Sequence, residues 1–156
     1  MSRKNLNVTN NNLKFFKNCV KDRKILTIFK KFEKNLDTLN KNFVVGVSGG
    51  PDSLALAFLS KIFSIKRNLK TKYYIVDHKL RTESSNEVRK VKKILNKKFI
   101  ECKILIWKGK KPLNNIQALA RKKRFELIIK ECKKNRINNI LLGHHIDDLY
   151  ENFFLR

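Results

Sequence analysis

Phe43-Val44-Val45-Gly46-Val47-Ser48-Gly49-Gly50-Pro51-Asp52-Ser53 decides the reading of this chain. A β-branched apolar run feeds straight into a glycine-rich turn, and the turn opens an apolar helix expected over about Ser53–Ile65. A strand–turn–helix unit of this kind collects backbone N–H groups and the positive end of a helix around a phosphate. Gly49 and Gly50 let the main chain curl tightly and approach such a ligand. Ser48 and Ser53 supply hydroxyl donors for phosphate oxygens.

What the loop lacks is equally informative. A Walker loop places Lys-[Ser/Thr] directly after its last glycine, whereas here Pro51 and Asp52 occupy the sixth and seventh positions counted from Gly46. No lysine is present to follow a transferring γ-phosphate. Asp52 is instead suited to hold a magnesium ion that is itself bound to phosphates. Ser48-Gly49-Gly50-Pro51-Asp52-Ser53 resembles the pyrophosphate loop of the N-type ATP pyrophosphatases. That resemblance implies cleavage of ATP between its α- and β-phosphates and transfer of AMP to a substrate oxygen.

Working outward, the same alternation of strand and helix repeats. A basic helical stretch carries Ile25, Ile28, Phe29 and Phe32 at helical spacing. After the loop helix, with Leu54, Phe58, Leu59 and Ile62 inward, a second strand is expected at Lys72–Val76. A helix follows over about Ser84–Lys97, carrying Val88, Val91, Ile94 and Leu95. A third strand is expected over Ile100–Trp107, a long helix over Ile116–Lys134, a fourth strand over Asn139–Leu142, and a further helix from near Asp147. This order predicts an α/β fold, a parallel doubly wound (Rossmann-like) sheet flanked by helices. In such sheets ligands bind beyond the carboxyl ends of the strands. Three polar clusters follow strands and so converge there: Ser48–Ser53, Asp77–Arg81 and Gly143–Glu151.

The chain has 156 residues, enough for one domain with a real core. Residues 1–22 read as a basic polar N-terminal extension and 23–156 as the catalytic domain. With 37 Lys+Arg against 13 Asp+Glu the formal net charge is +24. That imbalance points to an anionic partner, nucleic acid or a membrane surface. The excess of lysine and asparagine is also what an A+T-rich gene encodes, so charge does not decide the matter alone. Cys19, Cys102 and Cys132 are scattered and form no C-x-x-C pair, which argues against a zinc ribbon or a redox pair and suits a reducing compartment. No apolar stretch near the start is long enough for a signal peptide or a membrane span, so the expectation is a cytoplasmic protein without a membrane partner.

Three further constellations carry chemistry. Asp77-His78-Lys79-Leu80-Arg81 follows the second strand; His78 and Arg81 are placed to meet nucleotide phosphate or base, and Ser84 to cap the next helix. On the long helix, Ala118, Arg121 and Phe125 lie near one face, and Arg121 and Arg124 are suited to grip phosphates through their planar guanidinium groups. His144-His145-Ile146-Asp147-Asp148-Leu149-Tyr150-Glu151 sets carboxylates three and four residues apart near a helix start. That cluster reads either as a metal site or as a proton-transfer site at His145. It is not H-E-x-x-H, and the one other histidine is His78, which disfavours zinc hydrolysis.

The four segments in this order resemble the N-terminal catalytic domain of the tRNA(Ile)-lysidine synthetases. The resemblance implies an adenine nucleotide alpha hydrolase-like fold and a reaction using ATP and Mg2+. In that reaction the C2 oxygen of the wobble cytidine in a CAU-anticodon tRNA(Ile) is adenylated, and free L-lysine then displaces AMP. It implies Ser48, Gly49, Gly50, Pro51, Asp52 and Ser53 for ATP and magnesium, with His78 and Arg81 beside them. Arg121 and Arg124 would meet phosphate or tRNA. His145, Asp147, Asp148 and Glu151 would line the cytidine–lysine site, and Asp52 would share the catalytic work. Members of that family continue past the position of Arg156, so the catalytic domain is expected to be incomplete at its C-terminus. The competing readings are tRNA thiolation by a related enzyme, an amidating synthetase of the same superfamily, and an inactive RNA-binding remnant.

Overall fold

A computed structural model describes residues 12–109 and 115–143. Residues 12–19 form helix α1. There follow α2 (Arg23–Asn35), β1 (Phe43–Val47), α3 (Pro51–Lys66), β2 (Thr71–Asp77), α4 (Ser84–Lys97), β3 (Cys102–Ile106), α5 (Ile116–Asn135) and β4 (Asn139–Leu142). The four strands form one parallel sheet in the order β3-β2-β1-β4. β1 is central, and all five of its residues are buried, which is why it reads as an unbroken apolar run rather than an alternation.

Helices cover both faces. Phe16 of α1, Phe29 of α2, Ala57, Ile62 and Phe63 of α3, and Val88 and Leu95 of α4 pack with Phe43, Val45, Val47, Tyr73 and Ile75. On the other face Ile128 and Cys132 of α5, with Ile137, pack with Val44, Tyr74, Val76 and Leu105. Alternate strand residues thus serve opposite cores. Burying side chains of the size of Phe63, Phe43 and Ile75 stabilises the domain by about 1.5–3 kcal/mol each, and Phe63 meets Phe32 and Phe43 edge-on at 6.2 and 6.1 Å.

The differences from the sequence-based expectation have local causes. α3 starts two residues early, at Pro51, because a proline is well placed at the first helical position, where no N–H is needed. The face of α3 that is buried deepest is built from Ser53, Ala57, Ser60 and Ser64 as well as Ile62 and Phe63. Leu54, Phe58 and Leu59 are only partly buried. β3 is two residues shorter at its start: the Ile100 N–H bonds to the Leu95 carbonyl and closes α4 instead of joining the sheet. Ile28 and Ile94, which lie at helical spacing in the sequence, are 55% and 48% exposed. Ser84 does not cap α4; its hydroxyl accepts from the Arg81 N–H at 3.0 Å and donates to the Arg81 carbonyl at 2.6 Å, closing the loop ahead of the helix. α2 has the side-chain cap, with Asp22 accepting from the N–H groups of Lys24 and Ile25.

The topology fixes where a site can form. From β1 the chain moves to β2 and β3 on one side, then crosses over through α5 to β4 on the other side of β1. The order reverses between β1 and β4, and the crevice beyond the carboxyl ends at such a switch point is where open α/β sheets hold ligands.

Candidate active site

The loop from Ser48 to Ser53 leaves β1 at that switch point, and its geometry centres on one hydroxyl. Ser53 is 2% exposed. Its Oγ is approached by the N–H groups of Ser48 and Gly49 at 3.2 and 3.1 Å and by the Ser48 hydroxyl at 3.1 Å, and it donates to the Gly50 carbonyl at 2.9 Å. A hydroxyl has two lone pairs, so three donors compete for two acceptor places. The Ser48 hydroxyl is the freely rotating one and can turn to an incoming anion. The buried Ser53 hydroxyl thus braces the curl of the loop.

The glycines divide by role. Gly49 has φ +98°, and a Cβ there would lie 2.8 Å from Cγ2 of Val91. Gly50 caps α3 at φ −70° in extended backbone, and a Cβ would meet nothing closer than the Ser48 Oγ at 3.8 Å. Gly143, directly after β4, was placed by sequence in a polar cluster but given no role. A Cβ there would lie 2.9 Å from Cα and 3.0 Å from N of Ser53, and 3.3 Å from the Asp52 carbonyl carbon. The end of β4 thus presses main chain to main chain on the first turn of α3, and only a glycine permits it.

Beside the loop lies a cavity of about 610 Å3 bounded by the ends of β1 and β2, by α4 and by the first turns of α5. Its size is in the range of small-ligand sites. Val47, Ile75, Val76 and Val88 supply apolar wall; Ser48, His78, Arg81 and Arg124 are among its polar groups. Among the described residues Arg124 has no carboxylate partner. Burial, and then the charge of Arg121, hold its pKa below the usual arginine value. His78 has both ring nitrogens buried without a hydrogen-bond partner among the described residues. Burial first, then repulsion from Arg124, push its pKa below the usual 6.5, against the opposing pull of Asp77. The imidazole is therefore neutral at neutral pH, and the cavity's charge comes from guanidinium groups.

The sequence-predicted residues separate accordingly. Ser48, His78, Arg81 and Arg124 line the cavity; Arg81 is also tied to Glu87 at 3.4 Å. Arg121 lies one turn before Arg124 and does not line it. Asp52 stands exposed in the first turn of α3. His145, Asp147, Asp148 and Glu151 lie outside the described residues. Sequence reasoning missed Gln117, Ala120 and Val91 as wall residues. It also missed Asp77, which accepts from the Lys79 N–H at 3.0 Å and the Ser85 hydroxyl at 2.6 Å and so fixes the loop after β2. Among the described residues no group of three His, Cys, Asp or Glu side chains could hold a metal by itself. The exposed carboxylate of Asp52 is of a chemistry that fits a magnesium ion. None of the described helices is long and apolar enough to cross a membrane.

Two outcomes follow from this geometry. Gly49→Ala and Gly143→Ala each introduce strain at the loop, and ATP binding measured calorimetrically with magnesium should weaken by about tenfold or more, the factor equivalent to ~1.4 kcal/mol. Gly50→Ala should stay within about threefold of wild type, since neither φ nor space opposes it. For His78 the folded pKa lies below the unfolded one, so the unfolded chain takes up the proton first as pH falls. Its contribution to stability is complete above about pH 6.5 and declines below it. His78→Asn should therefore show a smaller loss of Tm between about pH 6.5 and pH 5 than wild type, read by thermal melts across that range.

Comparison with known proteins agrees with the loop's chemistry. The sequence profile of the PP-loop domain matches residues 14–156. The chain is 39% identical over 117 residues to a tRNA(Ile)-lysidine synthase of Orientia tsutsugamushi, covering 75% of this chain and 26% of that protein. It is 35% identical over 134 residues to the tRNA(Ile)-lysidine synthase of Rickettsia bellii (83% and 31%), and 37% identical over the same length to that of Rickettsia akari (83% and 31%). The chain thus spans between a quarter and a third of the length of these relatives. Among solved structures, the U34-tRNA thiolase NcsA from Methanococcus maripaludis, with its [4Fe-4S] cluster, superposes with a TM-score of 0.71 at 21% identity, covering 84% of this chain and 48% of that one. At that identity the likeness speaks for the fold alone. By its loop, its sheet order and the profile match, this chain belongs to the PP-loop domain family of ATP-using proteins.

Proposed function

We propose that the chain carries the nucleotide-activating part of a tRNA(Ile)-lysidine synthase: it binds ATP with magnesium and adenylates the C2 oxygen of the wobble cytidine of a CAU-anticodon tRNA(Ile). An amine of free L-lysine then attacks C2, AMP leaves with the former carbonyl oxygen, and the amine loses a proton. The observation that carries this reading is the set of Ser48 and Gly49 donors gathered on Ser53 at the mouth of the cavity. The identities of 35–39% to lysidine synthases support it.

Each part of the chain has a physical task in it. The Ser48 hydroxyl and the N-terminus of α3 receive phosphate oxygens, while the amides of Ser48 and Gly49, which donate to the Ser53 Oγ, hold the curl of the loop. Asp52 would hold magnesium, which would neutralise phosphate charge. Arg124, a half-buried cation without a carboxylate partner among the described residues, meets the negative charge that develops as pyrophosphate separates. The apolar wall of Val47, Ile75 and Val76 excludes water from the nucleoside. His145, Asp147, Asp148 and Glu151 are assigned by resemblance to the cytidine and lysine; they lie outside the described residues.

The buried cysteines weigh against thiolation. Cys102 is fully buried and its thiol pKa is pushed up to about 12, and burial also raises that of Cys132. Both are protonated at neutral pH and poorly suited to carry sulfur as thiolates.

The test is ATP-dependent incorporation of labelled lysine into a CAU-anticodon tRNA(Ile), for this chain and for Asp52→Ala. Incorporation that falls by about a hundredfold or more in Asp52→Ala is the expected result, in line with loss of a metal-holding carboxylate. Equal incorporation by the two, or none by the wild-type chain despite ATP binding, contradicts the proposal.

A further inference from the structure

We infer that the outer face of α4, the helix whose inner side walls the cavity, is a docking surface for the phosphate backbone of RNA; this rests on the tRNA-modifying reading above. α4 turns Val88 and Leu95 into the core, and Ser84, Glu87, Val88 and Val91 line the cavity. With 3.6 residues per turn, Lys90, Lys93 and Lys97 fall on the opposite side, with Arg89 next to them. All four are exposed, and among the described residues none of them forms an ion pair. A few cations elsewhere do: Lys66 and Arg67 pair with Glu33 and Asp37, and Lys103 with Glu131. The one acidic residue of α4, Glu87, is turned to Arg81 at the cavity end.

A stripe of like charges three and four residues apart opposes helix formation, so the fold itself gains nothing from it. A polyanion laid along the helix removes that repulsion and releases its own counterions. The 14 residues of α4 give a track of about 20 Å, long enough for several phosphates. The stripe holds no continuous apolar face of the kind that inserts into a lipid surface; Ile94 is the one large exposed apolar residue of α4. RNA is therefore the occupant the chemistry favours. α2 provides an internal control: Arg23, Lys24, Lys31 and Lys34 are equally exposed, yet no α2 residue lines the cavity.

The experiment compares the wild-type chain with two fourfold variants. One carries Arg89→Gln, Lys90→Gln, Lys93→Gln and Lys97→Gln; the other carries Arg23→Gln, Lys24→Gln, Lys31→Gln and Lys34→Gln. Both remove the same charge, and glutamine has nearly the helix propensity of lysine. Binding of fluorescein-labelled CAU-anticodon tRNA(Ile) is followed by anisotropy across a salt series, with ATP binding measured in parallel. The α4 variant should bind the tRNA at least about tenfold more weakly, with the slope of log K against log salt flattened by about 2–3 and ATP binding unchanged. The α2 variant should lose less than about threefold. The inference is overturned if the wild-type chain does not bind the tRNA, if the α4 variant stays within twofold of wild type, or if the α2 variant loses as much. It is also overturned if the α4 variant loses binding to phosphatidylserine vesicles while keeping tRNA binding. Failure of the lysidine reading is seen separately, as absent lysine incorporation while the tRNA-binding difference between the two variants persists.

Discussion

Three donors converge on the Ser53 hydroxyl, which has two lone pairs to offer. The rest of the site follows from that arithmetic. Ser53 sits in the first turn of α3 with its side chain sealed from solvent, so the loop amides are gathered at a fixed point before any ligand arrives. That point is in turn set by the sheet, because the main chain of Gly143 at the end of β4 lies against Ser53 and Asp52. β1 launches the loop and β4 holds its far end, and the reversal of strand order between them leaves the crevice open. A site arranged in advance by rigid elements loses little free energy to reorganisation when charge develops in it.

The cavity beside this loop has an uneven charge distribution with a physical cause. His78 is held neutral by burial and by Arg124, so it adds no charge that varies near neutral pH. Arg124 keeps its charge at any physiological pH and has no carboxylate partner among the described residues. Such a cation is costly to bury alone, and an anionic ligand relieves that cost. The carboxylate in the wall, Glu87, is engaged by Arg81. The wall thus sets an apolar slot beside cations, the arrangement the proposed nucleotide site calls for.

Much of this was legible in the sequence, for reasons that can be named. The run Phe43–Val47 and the loop after it carry local signals strong enough to fix strand, turn and helix. β1, α4 and β4 fall where apolar patterning put them. Periodicity was misleading where tertiary context decides. Ile28 and Ile94 sit at core spacing but face outward, and α3 meets its neighbours through serines and an alanine that no hydropathy pattern singles out. The role of Gly143 was illegible because it is a contact between main chains 90 residues apart. That of Asp77 was hidden because a polar residue after a strand looks alike whether it binds ligand or braces a loop. Ser53 was assigned to the ligand from its place in the glycine loop and by resemblance; that its buried hydroxyl also braces the loop through four hydrogen bonds was not legible.

The central claim is that the loop from Ser48 to Ser53, braced on the Ser53 hydroxyl, forms an anion cradle. The most direct measurement is a titration of the 15N-labelled chain with magnesium and ATP, following backbone amide resonances. The account predicts that the amides of the loop from Ser48 to Ser53 shift most, saturate together, and lose their common response in Ser53→Ala while the core resonances stay in place. Saturable ATP binding that leaves the loop amides unmoved, or an unchanged response in Ser53→Ala, would contradict it.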